Sequence, residues 1–187
     1  DKVLTHTLVN PTFSHAQFKD GRYSDKVALQ IVKETDAGIV VNGARLLATL
    51  GPHADEIEVF PSTLLTAAPE NLPFAFAFAL PVATPGIRLL CRDSYDLGQS
   101  HFDAPLASRF EEMDAVVVFD NVLVPWDRGF VDQDLALLNR MYRETRMPEL
   151  TAHQTNARLE VKLGFVYALV VRLAEAPRDA AVEDWRI

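Results

Sequence analysis

The dipeptide Asn42-Gly43 stands between two apolar runs, Ile39-Val40-Val41 and Ala44-Arg45-Leu46-Leu47. Asn-Gly readily supplies the two consecutive positive φ angles of a type I′ turn. The segment therefore predicts a β-hairpin that reverses at 42–43, and a hairpin needs a larger sheet or core to bury its apolar face. The rest of residues 26–125 carries the matching period of two. Val27, Leu29 and Ile31 alternate with Ala28, Gln30 and Val32, and Ile57 and Val59 alternate with Glu56 and Glu58. Phe74, Phe76 and Phe78 interleave with Ala75, Ala77 and Ala79, which predicts a strand covered on both faces. Ile87 to Cys91 and Ala115 to Val124 complete the set, with Pro125 closing the last. Short strands separated by Gly and Pro turns predict a mainly β fold, a sandwich or barrel.

The pattern changes after Trp126. Asp132 to Arg143 sets Leu135, Leu138 and Tyr142 at helical spacing, and Pro148 breaks the run. A second helix is expected from Thr151, whose hydroxyl is a candidate cap. Its stripe of Leu159, Leu163, Val166, Val170 and Leu173 is widened by Phe165, Ala168, Leu169 and Val171. A helix apolar on nearly all sides demands burial, against further helices or another subunit. The expected domains are a β domain over 1–130 and an incomplete helical domain over 131–187. Residues 176–187 carry no pattern. The start, Asp1-Lys2-Val3, shows neither an initiator methionine nor a cleavage-site pattern, and reads as the middle of a longer chain.

A chain of 187 residues with 49% apolar and 24% charged residues is ordinary globular material. Its formal charge of -8 argues against a nucleic-acid surface, which needs concentrated Lys and Arg. The longest apolar run, Leu163 to Val171, is about half a membrane span. The single cysteine, Cys91, excludes an internal disulfide and fits a cytosolic, reducing compartment. Its place in an apolar strand predicts a buried, inert thiol.

The five histidines, at 6, 15, 53, 101 and 153, form no close ligand pair, and with one cysteine no metal site is expected. No phosphate-binding glycine loop and no nucleophile elbow are present. His6 is the best single candidate for chemistry, because an imidazole near neutrality can accept or share a phenolic proton. Taken alone, it also suits an ordinary loop position. Thr12-Phe13-Ser14-His15 follow the Asn10-Pro11 turn, where hydroxyls and free N–H groups can hold a polar ring edge or simply close the turn. Thr49 ends a strand, where threonine is common for β propensity alone. Ser62-Thr63 after Pro61 offer two hydroxyls for a carboxylate, or a turn cap. Arg109 is expected to pair with Glu112 or Asp114 in a structural turn.

In order along the chain, six stretches resemble the 4-hydroxyphenylacetate 3-hydroxylase family, oxygenase components of two-component FAD-dependent phenol monooxygenases. They are Thr5 to Pro11, Lys33 to Arg45, Ala54-Asp55-Glu56, Phe60-Pro61-Ser62-Thr63, Pro105 to Asp114, and Phe119 to Trp126. Arg109-Phe110-Glu111-Glu112-Met113-Asp114 and Val122-Leu123-Val124-Pro125-Trp126 are specific as a set. The resemblance covers about residues 4–175. It implies the acyl-CoA dehydrogenase-like architecture, with helices before a central β domain and a C-terminal helical bundle that assembles a homotetramer. This chain would then be the β domain plus the first helices of the bundle.

The implied reaction is ortho-hydroxylation of a phenol to a catechol, using O2 and reduced FAD supplied by a separate flavin reductase. By resemblance, His6 bonds the phenolic oxygen beside the flavin, and Ser62 and Thr63 hold the carboxylate end of a substrate such as 4-hydroxyphenylacetate. Thr12, Phe13, Ser14 and His15 occupy a flavin-contacting stretch, and Thr49 matches a strand threonine near the flavin. The chain departs from the family in carrying Thr12 where Gln is usual and His15 where Arg is usual. The family's other substrate residues belong to helices before this chain, and a further flavin stretch follows it, so these 187 residues alone are expected to be inactive. Two other readings suit the same residues: an acyl-CoA dehydrogenase-like flavoprotein, and a non-enzymatic β-sandwich module docking through its apolar helix.

Overall fold

The computed structural model describes residues 1–11, 27–61 and 64–175. Eight strands precede two α-helices among them: β1 (Leu4–Thr7), β2 (Gln30–Thr35), β3 (Gly38–Thr49), β4 (Glu56–Val59), β5 (Phe76–Pro81), β6 (Ile87–Cys91), β7 (Asp114–Pro125) and β8 (Gly129–Asp132), then α1 (Leu135–Glu144) and α2 (Met147–Glu175). The chain divides into two compact units, Asp1–Arg140 and Met141–Ile187.

The first unit holds two four-stranded sheets, ordered β1-β4-β5-β8 and β2-β3-β7-β6. Only β1 and β4 run parallel; the other pairs among the described strands are antiparallel. Alternation is what lets the sheets meet. In β4, Ile57 and Val59 are buried while Glu56 and Glu58 are half-buried, and in β7, Ala115, Val117 and Phe119 point inward. Leu29, Ile39, Val41, Phe76, Phe78 and Leu80 join them in one core. Phe78 of one sheet meets Phe119 of the other edge-to-face, ring centroids 6.1 Å apart, a favoured aromatic geometry. As its residues predict, β5 is covered on both faces, with Ala77 and Ala79 buried behind the phenylalanines.

The predicted reversal at Asn42-Gly43 does not occur. β3 runs straight through it, paired with β2 on one side and β7 on the other. The chain reverses instead at Asp36-Ala37, between Thr35 and Gly38, where Thr35 Oγ1 donates to the Gly38 carbonyl at 2.8 Å. Trp126 Nε1 donates to the Asp36 carbonyl at 3.1 Å and anchors that turn. Gly43 spends its positive φ of 127° on a bulge in the β3–β7 ladder. A Cβ there would lie 2.6 Å from the Ala28 carbonyl oxygen, so glycine is required by close approach, not by a turn.

Two further expectations are corrected. Cys91 is exposed, because β6 is an edge strand whose Arg88, Leu90 and Cys91 all face solvent. The cation that meets the acidic stretch before β7 is Arg92, which bonds Glu111 at 2.6 Å and lies 3.6 Å from Asp114.

α1 begins after Asp134, whose carboxylate accepts the Leu137 N–H at 2.8 Å as a side-chain cap. Its Leu138 is buried, and the Asn139 amide pairs with both backbone groups of Leu65, at 2.9 and 2.8 Å. In the second unit, α2 starts at Met147 rather than Thr151. Pro148 sits in its first turn, where a missing N–H costs nothing. Arg146, at a left-handed φ of 54°, stands in the turn just before it. No residue of α2 is buried, and Leu163, Phe165, Val166 and Leu169 along it are exposed. Among the described residues, no helix is long and apolar enough to cross a membrane.

Candidate functional site

β1 lies at the edge of its sheet, and its residues alternate sharply. Thr5 and Thr7 are buried, while Leu4 and His6 are exposed. The threonines turn inward because β3 offers them acceptors. The Thr5 hydroxyl donates to the Thr49 carbonyl, and Thr7 Oγ1 donates to the Leu46 carbonyl at 2.8 Å. The Leu46 N–H donates to the Val9 carbonyl at 2.8 Å, and Arg45 Nη1 to the Leu8 carbonyl at 2.9 Å. A strand of one sheet is thus sewn to a strand of the other.

β3 can do this because its ladder with β7 breaks register between Arg45 and Ala48. Leu47 adopts a left-handed φ of 63°, and Leu50 follows at 59°. Bulges re-aim backbone and side chains; here the Leu46 peptide groups face β1. Leu47 is 63% exposed as a result, an apolar side chain held outward beside the crossing. Arg45 is fully buried, its guanidinium 5.3 Å from the Phe76 ring centroid.

With Thr5 and Thr7 facing inward, the two-residue period sends His6 outward. Its ring stacks on Phe60, with centroids 6.3 Å apart and planes at 28°. Glu58 stands beside it in register on the neighbouring strand. Along the same edge, Glu56 takes the Lys2 ammonium and, at 2.9 Å, the Arg128 guanidinium. Those two cations, Lys2 first, hold the Glu56 carboxyl below its ordinary value against the opposing effect of burial.

Thr49 is exposed at the end of β3. Its Oγ1 donates to Asp114 Oδ1 at 2.7 Å, so its hydroxyl proton is committed while the oxygen can still accept. Of the residues singled out from sequence, His6 and Thr49 therefore lie on adjoining strands joined by the Thr5 hydroxyl. Thr12, Phe13, Ser14, His15, Ser62 and Thr63 lie outside the described residues. Ser62 and Thr63 follow directly on Phe60 and the buried Pro61 in the chain.

Sequence reasoning missed three residues here. Phe60 reads as the end of a strand and gives no sign of stacking on a histidine. Arg45 carried a usable signal, a lone cation amid Ala and Leu. Asn10 reads as half of an Asn-Pro turn, yet it is 4% exposed and neither of its amide atoms has a hydrogen-bond partner. A separate open cavity of about 320 Å³ lies against Val27, Asn42, Gly43, Arg88 and Asp120, and neither of the described candidate residues, His6 and Thr49, lines it. Among the described residues, no cluster of three or more His, Cys, Asp or Glu is arranged to hold a metal.

The chain is 45% identical over 176 residues to the 4-hydroxyphenylacetate 3-monooxygenase oxygenase component of Geobacillus sp. (strain PA-9), covering 94% of this chain and 36% of that protein. It is 43% identical to the corresponding protein of Thermus thermophilus over 175 residues, with the same coverage. The fold superposes with a TM-score of 0.67 on the crystal structure of such an oxygenase component complexed with FAD and 4-hydroxyphenylacetate. That match is at 47% identity over 75% of this chain and 29% of the other. The chain thus spans about a third of the length of the relatives it matches. The family model described as 4-hydroxyphenylacetate 3-hydroxylase N terminal matches residues 1–131. With its sheets, its crossed strands and these matches taken together, the chain belongs to the 4-hydroxyphenylacetate 3-hydroxylase family.

Proposed function

We propose that this chain forms the flavin- and substrate-facing β domain of a two-component phenol monooxygenase, the oxygenase that converts a phenol such as 4-hydroxyphenylacetate to its catechol. The observation that carries the reading is the arrangement around β1: an exposed imidazole, braced by Phe60, projects from a strand locked to β3 beside Thr49. A family relative with this fold was crystallised with both FAD and 4-hydroxyphenylacetate.

The residues fit a flat, polar-edged cofactor. Leu47 offers an exposed apolar surface, the Thr49 oxygen an acceptor, and the Asn10 amide a buried polar group awaiting a partner. Reduced FAD, delivered by a separate flavin reductase, would supply the electrons that activate O2, one of whose oxygen atoms is transferred to the phenol ring. The protein's task is to orient the ring, raise its electron density and exclude water. His6 does the second by accepting or sharing the phenolic proton. Its stacking on Phe60 limits the imidazole to few orientations, which is what effective general-base geometry requires. Ser62 and Thr63, one and two residues beyond Pro61, hold the substrate's carboxylate. Thr12, Phe13, Ser14 and His15 contact the flavin, chiefly through backbone groups.

Residues 131–187 open a helical domain, in an acyl-CoA dehydrogenase-like architecture. The exposed Leu163, Phe165, Val166 and Leu169 of α2 support its packing into a larger helical bundle, of the kind that assembles a tetramer. The chain by itself is expected to form no catechol.

The test is catechol formation from 4-hydroxyphenylacetate by the longer polypeptide that carries these residues, with reduced FAD. His6→Ala should lower turnover by about 10²–10⁴-fold while leaving the fold and its melting temperature in place. Undiminished product formation by His6→Ala would refute the assignment.

A further inference from the structure

Asn10 is nearly fully buried, and both Oδ1 and Nδ2 lack hydrogen-bond partners. Folding disfavours an unpaired buried amide, and native structures keep one chiefly where another group completes it. The same fold shows a completed amide: Asn139 pairs with both the N–H and the carbonyl of Leu65.

Asn10 cannot easily turn away to water. On one side, the Leu46 N–H holds the Val9 carbonyl at 2.8 Å and Arg45 Nη1 holds the Leu8 carbonyl at 2.9 Å. On the other, Pro11 restricts the backbone of the residue before it to extended conformations. The amide is therefore positioned by the backbone around it and not by contacts of its own. It lies four residues beyond His6, on the segment sewn to the strand that carries Thr49.

A side-chain amide presents one acceptor and one donor side by side. Its complement is a ring edge in which an N–H adjoins a carbonyl, and the pyrimidine edge of an isoalloxazine has that form. Resting on the function proposed above, we infer that Asn10 binds the flavin directly. Its Nδ2–H donates to a ring carbonyl, and its Oδ1 accepts the ring N–H. This makes Asn10 a determinant of flavin affinity and of selectivity for ring systems with a lactam edge.

A purely structural asparagine predicts the opposite pattern of effects, so two measurements separate them. The first is FAD affinity by fluorescence, with oxidised flavin in air and reduced flavin under anaerobic conditions. The second is the melting temperature of the flavin-free protein. Asn10→Leu removes the unpaired amide with little change in volume. It should leave the flavin-free melting temperature unchanged or higher, yet weaken FAD binding about tenfold or more, equivalent to ~1.4 kcal/mol. A lower flavin-free melting temperature with unaltered affinity would overturn the inference.

Should Asn10→Leu fail to fold, Asn10→Asp keeps the shape and sets an anionic acceptor against the ring carbonyl. It should weaken binding at least as much, and unaltered affinity again refutes the inference. In the wild-type protein, the Asn10 side-chain amide protons should shift and exchange more slowly when FAD is added; no change counts against the contact. These measurements use the longer polypeptide that carries these residues; if its wild-type form does not bind FAD at all, the functional reading fails and this inference with it. If it binds FAD and the Asn10 variants bind equally well, only the inference fails.

Discussion

Thr49 Oγ1 donates to Asp114 Oδ1 at 2.7 Å, while the carbonyl of the same threonine receives the Thr5 hydroxyl. One residue thus joins three segments: the strand bearing His6, the end of β3 and the start of β7. Asp114 continues the connection, since its carboxylate lies 3.6 Å from Arg92. Replacing Thr49 with Val keeps shape and β propensity but removes the hydroxyl. The expected cost is about 0.5–1 kcal/mol, read from urea denaturation. In a double-mutant cycle with Asp114→Ala, the two losses should fall short of adding; strict additivity would show that the bond contributes nothing.

Arg92 also anchors the connection between β6 and β7. Glu111 accepts Ser94 Oγ at 2.8 Å, Arg92 Nη2 at 2.6 Å and the Tyr95 N–H at 3.0 Å, and Arg92 lies 4.0 Å over the Tyr95 ring. These partners, the Ser94 hydroxyl first and the Arg92 guanidinium next, hold the Glu111 carboxyl down to about 2 from 4.5. A depressed carboxyl stabilises the fold above its unfolded value and loses that contribution as the pH falls through its folded value. The contribution is complete above pH 4.5 and fades toward pH 2. Glu111→Gln should therefore destabilise the protein at pH 7 and converge with wild type in acid. Parallel stability curves for the two proteins across that window would contradict this.

Gly43→Ala should destabilise markedly. The new Cβ meets backbone atoms only, the Ala28 carbonyl oxygen at 2.6 Å and Leu29 Cα at 2.8 Å, at a φ unfavourable for alanine. A loss of about 1–3 kcal/mol is expected. A melting temperature equal to wild type would contradict this close approach of the Ala28 backbone to Gly43.

Cys91 should react readily with a small thiol reagent in the native state, since it is exposed on an edge strand. Labelling only after addition of denaturant would instead support the burial its apolar neighbours predict.

Much of the sheet architecture was legible because alternation is a local signal. β4, β5, β6 and β7 fall where Ile57/Val59, the Phe/Ala interleave, Ile87 to Cys91 and Ala115 to Val124 predict them. Asn42-Gly43 misled because a glycine's access to positive φ serves a turn or a bulge alike. What decides between them is a partner on each side of β3: its neighbour β2, and β7, which comes from far along the chain. Cys91 misled for a related reason: an apolar run shows strand character without showing whether the strand is central or at an edge. Pro148 read as a terminator and serves as a starter, a distinction set by the turn at Arg146 before it.

At the candidate site, His6 stood out by chemistry alone. The reason it faces outward lies in two neighbouring hydroxyls finding acceptors on β3, which no spacing rule reveals. Asn10 hid behind the proline that follows it, since Asn-Pro is so ordinary a turn.

The sewing of β1 to β3 also limits how this protein can change over evolutionary time. Adding or deleting one residue between Leu4 and Val9 would swap the two faces of the strand, burying the imidazole and presenting threonine hydroxyls in its place. Length variation should thus be absent from this short segment, and tolerated in the solvent-facing stretch around Phe102, which is 93% exposed.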